Sequence, residues 1–176
     1  MKTNSTRRLL QAATTALGVC FTGAMLPTSA KAGNTWDGGG GDGLWSTAAN
    51  WDFDTLPGYG TLTFSGATGT TNTVDANTSK NMLLWNGTSA WTLNNSGGAV
   101  ISLYDNGGTQ AKIENQSTGT VTINAPVTYA ATTGAAFGEL NAVNGDIVFG
   151  GGDLTVNGSA VNGLKFWSGA GRTVTV

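Results

Sequence analysis

Charge is scarce in this chain. Asp, Glu, Lys and Arg supply 10% of its 176 residues, against about 25% in an ordinary soluble domain. Histidine is absent and cysteine occurs once, which excludes Ser-His-Asp and Cys-His nucleophilic catalysis and His-ligated zinc. One thiol cannot build an internal disulfide framework or a cysteine metal cluster. The 8 basic residues are outnumbered by 10 acids and the pI is near 4.8. Nucleic acid, which is bound by basic patches, is therefore not an expected partner. Glycine is in excess, with 28 residues where average usage gives about 12. This is not the composition of a typical cytosolic enzyme.

The N-terminus has the three regions of a secretory signal peptide. Lys2, Arg7 and Arg8 are followed by a mostly apolar run from Leu9 to Leu26, then Pro27 and the small residues of Ala30-Lys31-Ala32. The expected leader is 1–32, cleaved between Ala32 and Gly33, with cleavage after Ala30 second. Gln11, Thr14, Thr15 and Thr22 make the run too polar for a stable membrane span. Arg7-Arg8 resembles a twin-arginine signal only faintly, so the general secretory route is favoured. Without the leader the chain keeps all ten acids, four basic residues and no cysteine.

After Gly33 no stretch holds apolar residues at helical spacing. Short alternating segments recur instead, such as Thr61–Phe64, Met82–Trp85, Val100–Leu103, Val121–Ile123, Asp146–Phe149 and Leu154–Val156. Threonine between β-branched or aromatic residues suits a half-buried strand, and Asn/Gly clusters between segments suit turns. The fold class is all-β. Segments every eight to ten residues fit a β-sandwich or a solenoid with coils of about 20 residues. Mixed turn lengths and abundant small residues favour a right-handed parallel β-helix over residues 61–176, with the sandwich as the alternative. Its expected inward residues are Leu62, Phe64, Leu83, Ile101, Leu103, Ile113, Val121, Ile123, Ile147, Phe149, Leu154 and Val156.

Residues 33–60 form a separate Trp/Gly-rich cap segment. Trp36-Asp37, four glycines, Asp42-Gly43-Leu44-Trp45 and Asn50-Trp51 place three of the six tryptophans in sixteen residues. Large aromatics on such a segment could close the open first coil of a solenoid. This opening, followed by Leu62-Thr63-Phe64-Ser65-Gly66, resembles the start of autotransporter-associated β-strand repeat proteins. Gly150-Gly151-Gly152-Asp153-Leu154-Thr155-Val156-Asn157-Gly158 partly matches that family's strand repeat. The resemblance implies a bacterial exported passenger with a pertactin-like parallel β-helix. The full tandem repeat and a C-terminal translocator barrel are not seen, so a fragment truncated at its C-terminus is expected.

Individual residues carry weaker readings. Asp52 and Asp54, at i and i+2, would share one strand face at a spacing a glycosidase pair could use. Solvated acids in a turn approach are the favoured alternative. The only glutamates, Glu114 and Glu139, lie far apart in sequence. Asp37 and Asp42 flank glycines as in a calcium loop, but the pattern occurs once and lacks enough oxygens. No catalytic residue, cofactor or metal is expected. Trp36, Trp45 and Trp51 are either cap aromatics or a glycan-stacking platform, with packing favoured. Trp85, Trp91 and Trp167 read as core or coil stacking.

The expected function is a non-enzymatic, secreted or cell-surface protein with a structural or adhesin-like role. The alternative is a carbohydrate-binding module using surface tryptophans. Expected partners are extracellular polysaccharide or cell-surface matrix, with edge-to-edge self-association possible and membrane contact only through a missing C-terminal region.

Overall fold

A computed structural model describes residues 34–105, 109–130, 136–157 and 161–176; the expected leader, 1–32, and the expected cleavage position at Ala32/Gly33 lie outside the described residues. After a short strand β1 (Thr35–Trp36), the chain winds as a parallel β-solenoid of about five stacked turns. The first coil contains β2 (Thr61–Phe64), β3 (Thr71–Val74) and β4 (Thr78–Lys80). The second contains β5 (Met82–Trp85), β6 (Trp91–Asn95) and β7 (Ile101–Tyr104). The third contains β8 (Lys112–Asn115), β9 (Val121–Ile123) and β10 (Val127–Ala130). The fourth contains β11 (Ala136–Ala142), β12 (Ile147–Phe149) and β13 (Leu154–Asn157). The last has β14 (Val161–Ser168) and β15 (Val174–Thr175).

Stacking the coils gives three parallel sheets, ordered β1-β2-β5-β8-β11-β14, β3-β6-β9-β12-β15 and β4-β7-β10-β13. Every ladder between these strands is parallel, which excludes the antiparallel sandwich. In-register Leu62, Leu83, Ile113, Leu140 and Phe166 set coil lengths of 21, 30, 27 and 26 residues. The coils are thus longer than the expected 20, because each turns three corners.

Period-two alternation puts Leu62, Phe64, Leu83, Ile101, Leu103, Ile113, Val121, Ile123 and Ile147 at 0% exposure, while Phe149 and Leu154 are partly buried against the core. Val156 departs from expectation at 43% exposure. It lies on β13, the end strand of the third sheet among the described residues. Tyr129 occupies the same inward column as Leu103 and Val156, and its hydroxyl donates to the Glu139 carbonyl at 2.8 Å.

Close stacking constrains the corner between the first and second sheets. A Cβ on Gly119 would meet backbone atoms of Ser89 and Ala90 at 2.3–2.4 Å, and one on Gly145 would meet the Gly119 carbonyl oxygen at 2.2 Å. Buried Asn115 ties the same corner, donating to the carbonyls of Gly119 at 2.8 Å and Asp146 at 2.9 Å. Backbone cannot yield as a flexible side chain does. Gly119→Ala is therefore expected to cost about 1–3 kcal/mol of unfolding free energy. Gly151→Ala, whose nearest neighbour is Asn124 Oδ1 at 3.9 Å, should stay within about 0.5 kcal/mol. Equal urea midpoints for the two variants would refute this account of the corner.

Candidate functional site

Two regions of the solenoid concentrate polar and aromatic side chains: the N-terminal cap and the outer face of the first sheet. The cap covers each of the three sheets differently. Strand β1 extends the first sheet through Trp36↔Phe64. Leu44 forms a parallel bridge to Thr73 on the second, where the Trp45 amide donates to Thr73 O at 3.0 Å and the Thr73 amide donates to Gly43 O at 2.8 Å. Over the third sheet, the Lys80 ammonium donates to the carbonyls of Pro57 at 2.9 Å and Gly58 at 2.8 Å.

Inside the cap, Trp36, Trp45 and Trp51 are exposed by only 1%, 5% and 0%. Trp51 meets Trp36 edge-on at 5.0 Å and Trp45 at 5.6 Å, while Trp45 stacks on Phe64 and Phe64 on Trp85 at 4.9 Å. Each cap indole N–H has an acceptor: Gly69 O for Trp36, Asn72 Oδ1 for Trp45 and Trp45 O for Trp51. The three rings thus close the stack and turn no face to solvent.

The glycine run belongs to the same construction. Gly38 and Gly41 have φ of 69° and 74°, which favours glycine. Cβ atoms on Gly39 and Gly40 would meet Ala49 O at 2.8 Å and Asn50 Oδ1 at 2.9 Å. Buried Asn50 accepts from the Gly40 amide and donates to Asp42 and to Leu44 O. Hydrogen bonds from Thr47 and Asn50 and from the Leu44 amide hold the Asp42 carboxyl below its usual range. Asp37 accepts from the Gly39 amide. Among the described residues no three His, Cys, Asp or Glu side chains are grouped to hold a metal ion. Asp52 and Asp54 do not share a strand face: they lie in a 3-10 turn, with Phe53 at φ 63° and Asp54 at φ 48°. Asp52 accepts from the Thr35 amide at 2.9 Å.

The outer face of the first sheet brings together residues distant in sequence. Met82, Lys112, Glu139 and Lys165 stand in one register column, and Leu84, Glu114, Asn141 and Trp167 in the next. Lys112 Nζ lies 3.4 Å from Glu114 and 3.3 Å from Glu139. Asn141 Nδ2 donates to both carboxylates, at 3.2 and 3.4 Å, and Gln116 donates to Glu114. Burial raises the Glu114 carboxyl, but hydrogen bonds from Gln116 and Asn141 and the Lys112 charge outweigh it and hold the group below its usual range. Burial likewise lowers Lys112, and its two glutamate partners more than restore it. An ionised, clamped Glu114 is a hydrogen-bond acceptor at neutral pH and is poorly suited to general acid catalysis.

Trp167 corrects a sequence expectation. It was expected to pack in the core or between coils, yet it is 59% exposed, because its register position faces outward beside Asn141. Trp85 and Trp91 are buried at 0% and 1%. No family model, curated protein or solved structure matches this chain.

Two predictions follow from the cap. Trp51→Ala should lower stability by about 3–5 kcal/mol, because it opens a cavity at the centre of the aromatic cluster; unchanged denaturant unfolding would refute the lid. Lys80 supplies the second. Burial pushes its ammonium from 10.5 down to about 8. The unfolded chain binds more protons between those values, so stability is lowest below about pH 8 and rises toward the unfolded value. In Lys80→Met this rise should vanish. Parallel stability curves for wild type and variant between about pH 7.5 and 9.5 would overturn it.

Proposed function

We propose that this chain is a non-enzymatic exported protein of passenger type, secreted or held at a bacterial cell surface, where it has a structural or adhesive role. The observation that carries this reading is the dedicated lid: residues 34–60 close one end of a parallel solenoid immediately after a leader-like segment. A β-solenoid starting in this way exposes long sheet faces, and its stability rests on ladders and packing. The Trp/Gly-rich opening supports the same reading through its resemblance to autotransporter-associated β-strand repeat proteins. Clamped carboxylates and the absence of histidine favour binding over catalysis. In the second reading, a carbohydrate-binding module, Trp36, Trp45 and Trp51 are poorly placed as a platform because their rings are buried; the exposed Trp167 is what keeps sugar binding in view.

Expression of the whole gene in a Gram-negative host tests the main reading. The mature product should begin at Gly33 by mass spectrometry, be digested by protease added to intact cells, and increase attachment of those cells to a matrix-coated surface. Retention of Met1 in a cytosolic product, or unchanged attachment by cells displaying the protein, would overturn it.

A further inference from the structure

Trp167 differs from the other five tryptophans, all of which are at most 5% exposed. Its in-register outward neighbours are Asn141 on β11 and, one coil further, Glu114 on β8. The adjacent column supplies Lys165, Glu139 and Lys112. A pocket lined by Phe166, Trp167, Ser168 and Val174 opens beside the indole. Asn141 is fixed on this face, its Nδ2 donating to two carboxylates and its Oδ1 buried from solvent.

We infer that this face of the first sheet, centred on Trp167, is a binding site for an uncharged glycan chain. The inference rests on the adhesive reading and names its ligand class. A flat, exposed indole offers an apolar surface for the C–H face of a sugar ring. The neighbouring Glu114 and Glu139 carboxylates, whose side chains are 12% and 15% exposed, offer acceptors for hydroxyl groups, and ion pairing has already ordered them, so binding loses little side-chain freedom. Charge decides the class of sugar. Lys112 and Lys165 balance Glu114 and Glu139, so the face carries no net charge to attract a uronate or sulfated chain. The site lies on three successive coils, so a ligand would run along the solenoid axis, crossing strands about 4.8 Å apart.

The test is calorimetric titration of the leader-free protein with cellohexaose, xylohexaose and mannohexaose, and with hexagalacturonate as the charged comparison. At least one neutral hexasaccharide should bind, and hexagalacturonate should not bind at physiological ionic strength. Trp167→Ala should weaken binding by at least about tenfold with an unchanged melting temperature, and Trp167→Phe should retain part of the affinity should the alanine variant fail to fold. Bound sugar should also protect the exposed indole from acrylamide quenching. Failure of the folded wild type to bind any neutral member, or equal binding by Trp167→Ala, would overturn the site. So would a concentration-dependent dimer that Trp167→Ala abolishes, which would assign the face to a second copy. Cell attachment undiminished by Trp167→Ala would remove this site and leave the adhesive reading standing. Loss of export would remove that reading while the titration still decides the site.

Discussion

A parallel solenoid satisfies its backbone only between coils, so every strand depends on the one above and the one below it. The first coil has nothing above it, and its unpaired amides, carbonyls and core side chains must be covered some other way. This requirement explains the cap in detail. Strand β1 and the Leu44–Trp45 segment extend two of the sheets as partial rungs. The third sheet is closed through a side chain, with Lys80 reaching the carbonyls of Pro57 and Gly58. The cap supplies partners to Asn72 Oδ1 and to Lys80, two polar side chains that point inward on the first coil, while Asn72 Nδ2 is buried without one among the described residues. Asn72, 1% exposed, accepts from the Trp45 indole, and Lys80, 4% exposed, is capped by carbonyls. Neither residue would be tolerated deeper in the stack, where the same columns carry Leu93 and Ile123 or Leu103 and Tyr129.

That arrangement also explains what could and could not be read from the sequence. The coils with apolar inward pairs were legible: Leu83 with Trp85, Ile101 with Leu103, Val121 with Ile123 each mark a strand by alternation alone. Strands β3 and β4 were not, because Asn72 and Lys80 occupy positions where the pattern calls for apolar residues. Strand β11 was missed for a different reason. Gly138 lies where a Cβ would strike the Tyr129 ring at 2.4 Å, and the register shifts between Ala136 and Gly138, so its alternation starts only at Leu140. With three strands missing from view, a coil of 21–30 residues was read as one of about 20. The tryptophans of the cap were legible as a group, since three in sixteen residues on a glycine-rich segment have few uses besides closing a core.

The outer face lay beyond sequence reasoning because its neighbours are set by coil length. Glu114 and Glu139 are 25 residues apart, a separation without meaning until the coil between β8 and β11 is known to span 27. Two residues short of a full coil then places the pair diagonally, two register positions apart on one face, with Lys112 bridging them. The same coil arithmetic puts Trp167 beside Asn141. An alternating Lys-Phe-Trp segment therefore sends Trp167 outward and Phe166 into the Leu140 column, although both residues are aromatic and look alike in a linear reading.

The two ends of the described stack differ in chemistry as well as in cover. At the capped end, inward Asn72 Oδ1 and Lys80 Nζ hydrogen-bond to specific cap atoms. At the opposite end, Phe166 is 53% exposed and Val156 43%, and β13, β14 and β15 are the outermost strands of their sheets. Among the described residues, this end offers apolar side chains beside strand edges, whereas the lid offers buried tryptophans and the two-residue edge of β1.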